Sequence, residues 1–461
     1  MSELSPSQEF LVLGAGFSGL VAGLCLARQG HSVTIVEQES VPGGIRRPQR
    51  IGKDFFSLDC RPLLDSDPEV AQELKGLLGN DLLEFPAQPH FVWNRMSLPA
   101  PASWKQWSST LSSQEKSRLW NGILRSNFRK NSEAENAEEA LLSSFGKAIF
   151  QEVSAPFHTQ FWGMPLEKLT PDAVTSEADL LDFSEARQNM GRFGLGTSPE
   201  SSLPPPQVSG LWAKEGLGQI ATSLANAFQT AGGRLVYGAQ VSQILVESKR
   251  VTGVLVQDSL APEGDEPTTH EIPCTRLLST VPLRGLVKLI HTGAPAQIHA
   301  SSLYLAHRQL DVFACRLKRE RSLSSFQAHY RQRSFHRVTE PKWSGQSLEE
   351  GKTLLIVEPI EAIPEQQPDA LWDRLLQDLA TENLASPDSL IDWTFASSPH
   401  GLPIYRGEYP EHLERVQNFL KTIPNLFCAE APLRFQRPGP TQAIAHGREL
   451  GRRAGEDPDQ E

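Results

Sequence analysis

The hydrophobic pattern changes period twice within the first forty residues. Phe10 to Leu13 form an unbroken apolar run, as in a strand buried on both faces. After "GAGFSG", the stretch "LVAGLCLARQG" carries small and apolar residues at helical spacing and ends on Gly30. "HSVTIVE" returns to a continuous apolar run that closes on Glu37. Strand, helix, strand is predicted. "DPEVAQELKGLLG" (67–79) then predicts a helix with an Asp/Pro start and a glycine stop. From Phe85 the texture turns extended, proline-rich and aromatic ("FPAQPHFVWNRMSLPAPASWKQW"), followed by helical patterns at 112–128 and 137–157. "NSEAENAEEA" (131–140) is acidic and predicts a solvated helix or loop tip. A proline/serine segment (196–210) reads as a linker.

The second half begins with an amphipathic helix over 216–233, stopped by Gly232 and Gly233. Strand-like runs follow at "RLVYG", "VSQILVES", "RVTGVLVQD" and "CTRLLSTVP", with "LAPEGDEPTT" as an exposed loop. Between 290 and 358 the periodicity is poorer, with strands at "FACRLKRE" and "TLLIVEP". A clear helix is predicted over 370–384, and the chain closes with helix "HLERVQNFLKTI", strand "NLFCAEA", helix "PTQAIAHGRELGRR" and an acidic tail.

The glycines carry the first chemistry. Gly14 suits a tight turn, Gly16 a close approach of backbone to pyrophosphate, and Gly19 helix–strand packing. Ala15, Phe17 and Ser18 complete the turn, whose helix N-terminus offers free N–H groups to phosphates. Glu37, with Gln38 after it, stands at the end of the second strand, where a carboxylate accepts bonds from ribose hydroxyls. A lone GxGxxG is weak evidence; strand, turn, helix, strand and terminal acid in this order point to a dinucleotide. Further on, Gly43 and Gly44 allow the chain to pass close to a diphosphate, and Arg46 could pair with it.

Joined at this spacing, "GAGFSG", Glu37 and "PGGIR" resemble the FAD-binding start of the amine oxidase superfamily, which includes protoporphyrinogen oxidases, carotenoid desaturases and UDP-galactopyranose mutase-like flavoproteins. "FWGMP" (161–165), "TVP" (280–282) and the closing segment 402–451 are similar to further stretches of that family, in its order. The resemblance implies FAD as cofactor and an α/β fold: a Rossmann-type FAD-binding domain with an inserted α+β substrate domain. FAD-binding stretches would span 1–84, 206–288 and 396–461, and substrate-domain stretches 85–205 and 289–395. It also implies that the backbone at Val241 meets the adenine, and that Glu430 and Gly447 belong to the closing half of the cradle. Two departures stand out. The family's Ala-Gly-(Asp/Glu) reads Ala429-Glu430-Ala431 here, and the mutase-like branch's Gly-Gly-His is replaced at Cys60–Arg61. A carboxylate at Glu430 aimed at phosphates would be repulsive, so it must turn away or take ribityl hydroxyls.

With one GxGxxG, no second nucleotide domain is evident, and the reductant is expected to be a small organic substrate. The implied function is an FAD-dependent oxidoreductase taking hydride from a C–C or C–N bond; the alternatives are a redox-neutral mutase-like enzyme and a non-catalytic relative. Nine tryptophans, five of them between 93 and 162, leave open an aromatic pocket for a planar substrate, with core packing the better reading for each. Arg61, Tyr405 and Arg406 would lie near the flavin, and Cys60 reads as a buried thiol. No catalytic acid or base is named.

Composition narrows the setting. A net charge of −11 argues against nucleic-acid partners. Five scattered cysteines without a CxxC pair read as reduced thiols, and the histidines lack ligand spacing, so no metal is expected. The polar first ten residues and the absence of a roughly 20-residue apolar stretch predict a cytoplasmic protein with no transmembrane segment.

Overall fold

The computed structural model describes residues 8–64, 66–93, 95–126, 134–175, 181–182, 208–259, 268–361 and 368–456. Most of the proline/serine segment expected as a linker (196–207) and most of the "LAPEGDEPTT" loop lie outside these residues, as do 131–133 and the end of the acidic tail; the last two residues of the expected linker begin the strand Ser209–Ala213.

The predicted strand, helix and strand form at Gln8–Leu13, Phe17–Arg28 and Val33–Val36. They seed a seven-stranded sheet in the order Arg234–Val236, Val33–Val36, Gln8–Leu13, Thr269–Ser279, Arg250–Asp258, Ala239–Glu247, with Leu426–Cys428 also pairing with Thr269–Ser279. Pairing is parallel on both sides of Gln8–Leu13 and Val33–Val36, and antiparallel among the three strands from Ala239 to Ser279. Three distant stretches of chain therefore build one doubly wound sheet. The first helix is buried because it lies between the sheet, the helix Leu217–Thr230 and the closing helix Pro440–Gly455. That packing is close: adding a Cβ to Gly447 would bring it within 2.5 Å of the Ser18 carbonyl oxygen.

A second seven-stranded sheet runs Leu390–Pro403, His307–Leu317, Thr353–Pro359, Phe335–Thr339, Gln327–His329, His90–Trp93, Met96–Pro99. Its Phe313, Cys315, Val338, Leu355 and Val357 pack under the helix Pro368–Thr381, with Trp372, Leu375 and Leu379. The alternating set Leu310, Val312, Ala314, Leu354 and Ile356 joins the core shared with the first sheet. Leu390–Pro403, Gln327–His329 and Phe335–Thr339 carry no clear sequence signal. The first of these holds Ser397, Ser398, Pro399, His400 and Gly401 and shifts register against its neighbour, which breaks its alternation.

The helical pattern over 137–157 is not one helix. Gly146 at φ 73° interrupts Ala137–Ile149, and a wider π turn covers Phe150–Ser154 before a new helix, Ala155–Trp162, begins. Pro156 lacks the N–H that a continuous helix would need there. Trp93, Trp104, Trp107 and Trp120 pack on one another beside this element, with ring centroids 5.3–5.9 Å apart. They are core, and of the five only Trp162 lines a cavity described below. Among the described residues no helix is long and apolar enough to cross a membrane.

Candidate functional site

The glycine turn opens onto a cleft. One wall is Gly16, Phe17 and Ser18; another is the loop Gly43, Gly44, Ile45 and Arg46. Thr280, Pro282, His400, Gly401 and the segment around Ala429, Gln436, Arg437 and Pro438 close the rest. A second cavity shares Pro403, Gln436, Arg437 and Pro438 with the first and adds Trp162, Tyr405, Glu430, Arg434 and His446.

Each glycine of the turn answers to its own constraint. Gly14 sits at φ 98°, and a Cβ there would meet Thr280 Oγ1 at 2.6 Å, the hydroxyl that donates to the Leu13 carbonyl. Gly19 lies against the carbonyl of Gly14. At Gly16 a Cβ would meet nothing within 4 Å: the backbone there borders open cleft. Gly16 is also the N-cap of a twelve-residue helix that has no side-chain cap and no acidic residue in its first turn. Those orphan N–H groups and the dipole end suit an anion.

The Glu37 carboxylate accepts from the Ala15 N–H at 2.7 Å and the Glu39 N–H at 3.0 Å, and burial raises its pKa. Gln38 is exposed beside it. The N–H groups of Gly238 and Ala239 donate to the Glu39 and Glu37 carbonyls, which brings the strand carrying Val241 to this end of the turn. Gly43 donates to the Ala15 carbonyl at 2.8 Å, so the second glycine loop docks on the first. Gly447 stands behind the cradle, in the contact with Ser18 already described.

Arg46 is only 4% exposed and borders the cleft, and its Nε has no hydrogen-bond partner. Its guanidinium reaches Asp59 at 2.5 Å and the Pro438 carbonyl at 2.9 Å. Arg61 contacts the same carboxylate at 2.9 Å and Arg437 at 3.0 Å, so three guanidiniums converge on one fully buried Asp. Burial alone would raise the Asp59 carboxyl, but Arg437, Arg61 and Arg46 hold it well below the usual carboxylate range. Burial pushes Arg46 down to about 10 against the pull of Asp59.

Glu430 is turned out of the first cleft. Its carboxylate pairs with Arg434 at 2.7 Å and with His446 Nε2 at 3.4 Å, while the preceding Ala429 is the residue that borders the cleft. Ala431, at the position of the family's acid, is buried. Arg406 is exposed. Cys60 donates to the Ser57 carbonyl at 2.9 Å, and burial, then Glu358 and Asp59, push its thiol up, as for an inert cysteine.

Sequence reasoning passed over Asp59 and Arg437. Their convergence joins residues almost four hundred positions apart, and no local pattern marks either.

An orphaned buried Nε on Arg46, an uncapped helix end and an open face at Gly16 fit a dinucleotide diphosphate along this wall. The family model described as flavin containing amine oxidoreductase matches residues 17–429. A hydroxyneurosporene desaturase of Cereibacter sphaeroides is 26% identical over 283 residues, 54% of this chain and 53% of that protein. A lycopene-forming phytoene desaturase of Paracoccus is 24% identical over 269 residues, 55% of this chain and 53% of that protein. The chain thus matches about half the length of these curated relatives. The structure of reduced UDP-galactopyranose mutase superposes with a TM-score of 0.79 at 16% identity, covering 96% of this chain and 95% of that one. Putrescine oxidase bound to putrescine superposes at 0.60 with 13% identity, over 97% and 99% of the two chains. At such identities these two structures speak for the fold. The family match spans most of the sequence, and the chain belongs to the flavin-containing amine oxidoreductases, FAD-dependent oxidoreductases of the amine oxidase superfamily.

Proposed function

We propose that this protein removes hydride from a C–C or C–N bond of a small organic substrate, as an oxidase or dehydrogenase of the protoporphyrinogen oxidase/amine oxidase type. The observation that carries the reading is the cleft wall formed by Gly16, the uncapped helix N-terminus and Arg46. FAD, when bound, supplies the two-electron acceptor. The chain's residues do the rest. Gly16 and the first helical N–H groups would bind the diphosphate, Glu37 would accept ribose hydroxyls, and Arg46 would offset negative charge. Asp59 orients Arg46 by ion pairing and so acts as a positioning residue. The second sheet lends His307, His400, Gly401 and Pro403 to the cleft wall and would help to shield the reacting bond from water.

The non-catalytic alternative drew on Glu430 and loses force, since that carboxylate is occupied by Arg434 and His446. The redox-neutral alternative is separated by product analysis. The test is the visible spectrum of the purified protein, followed by anaerobic addition of candidate substrates. A flavin band, bleached by a substrate whose product is poorer by two hydrogens, is expected. Product with no net oxidation would replace this reading by the redox-neutral one, and a colourless chain that takes up no FAD would overturn both.

A further inference from the structure

The wall facing away from the helix Pro368–Thr381 carries a buried polar row. In the second sheet Glu358 pairs across to Arg337, and Arg337 to His329, on adjacent strands. Paired positions of antiparallel strands share a face, so the three side chains stand side by side. Arg337 holds Glu358 through two bonds of 2.7 Å, with both residues almost fully buried. His336 lies next to this pair, its Nε2 3.8 Å from Glu358.

Opposite stands the helix Ala155–Trp162. Phe157 meets the His329 ring at 6.3 Å, Phe161 meets His336 at 5.0 Å, and His158 is buried on the same helix. Arg308 binds the Phe161 carbonyl at the end of that helix.

Three imidazoles in this layer, His158, His329 and His336, each have a buried Nδ1 without a hydrogen-bond partner. Burial holds all three below the ordinary histidine range, His158 to about 4 and His329 to about 3, so each ring is neutral near pH 7. A neutral imidazole offers one donor and one acceptor. Buried polar groups in a native protein are ordinarily satisfied, so the three imidazoles call for polar partners in this layer, ordered water or the polar part of a ligand. The guanidiniums of Arg337, Arg308 and Arg437 all bear on His336 electrostatically. Arg437 also borders the flavin cleft, so the layer and the cleft are continuous in charge.

We propose that the layer between Ala155–Trp162 and the row Glu358–Arg337–His329 receives the substrate, and that the substrate is an organic anion bearing a carboxylate or phosphate. The inference rests on the FAD-dependent reading above and names the substrate class for it. An apolar polyene would leave the three imidazole Nδ1 atoms without a polar partner. A carboxylate or phosphate accepts from guanidinium and imidazole N–H groups, the geometry that arginine matches well.

The test is calorimetric titration of the FAD-loaded protein with benzoate, inorganic phosphate, benzamide and a carotenoid in detergent micelles. Binding of benzoate or phosphate, with benzamide at least tenfold weaker, is expected; the first two arms distinguish a carboxylate from a phosphate. His336→Phe and the double variant Arg337→Met/Glu358→Met should each weaken anion binding at least tenfold while retaining flavin. The double substitution leaves no lone buried charge, and His336→Phe serves should it fail to fold. Anion affinity unchanged in both variants, or carotenoid binding without anion binding, would overturn the proposal. A chain that binds no flavin would instead defeat the FAD-dependent reading.

Discussion

Gly14 and Gly16 stand two residues apart and answer to different forces. Gly14 is needed by the fold: φ 98° and the Thr280 hydroxyl leave no place for a Cβ. Gly14→Ala should cost about 1–3 kcal/mol in denaturant unfolding of the flavin-free protein. Asp59 is a different case, one carboxylate buried among three guanidiniums. Asp59→Asn strips the compensating charge, and a loss of about 3–5 kcal/mol is expected by the same measurement. Glu430→Gln removes a part-exposed pair with Arg434, worth about 0.2–1 kcal/mol, and should leave flavin affinity within a factor of a few. A tenfold or larger gain in flavin affinity would mean that the carboxylate does oppose the diphosphate. The glycines and Glu37 were legible because a local backbone demand fixes residue type. Asp59 and Arg437 were not, because nothing local in "SLDC" or "FQRPGP" says that they meet.

Among the elements, the closing helix Pro440–Gly455 acts as a strut behind the cradle. Gly447 lies against the Ser18 backbone, so Gly447→Val must push this helix off the first one. A loss of about 1–3 kcal/mol is expected in thermal melts of the flavin-free protein, with weaker flavin retention after gel filtration. The strong helix and strand periods near the N-terminus and in 216–258 were legible because each element buries a regular face. Leu390–Pro403 was not, since its bulge and its Ser-Pro-His-Gly stretch hide the period-two pattern. The break at Gly146 was hidden too, because glycine is tolerated in helical patterns and nothing local announces its φ of 73°.

For the molecule as a whole, acid sensitivity follows from the buried imidazoles. His158 and His307 titrate at about 4 and His329 at about 3 in the folded chain, burial being the first cause each time. Unfolded histidine titrates at roughly 6.5, so the unfolded state binds more protons across the interval. Stability therefore falls as pH drops from about 6.5 toward 4, by up to about 3 kcal/mol per ring. Melting temperature recorded across that range should decline steeply, and His158→Phe should flatten the slope. The two-sheet architecture itself was accessible only through the resemblance. Its polar layer joins strands and a helix that no sequence period links.

The cofactor diphosphate is expected to lie along the cleft wall at Gly16. Gly16→Val probes that wall, because Gly16 has an ordinary φ of −69° and open space around its Cβ position. The substitution should cost the flavin-free fold only about 1 kcal/mol, as a poorer N-cap. Measured as FAD released per chain after gel filtration, wild type should carry equimolar flavin and Gly16→Val almost none, with both chains equally folded. Equal flavin in the two proteins would mean that the diphosphate does not lie against Gly16.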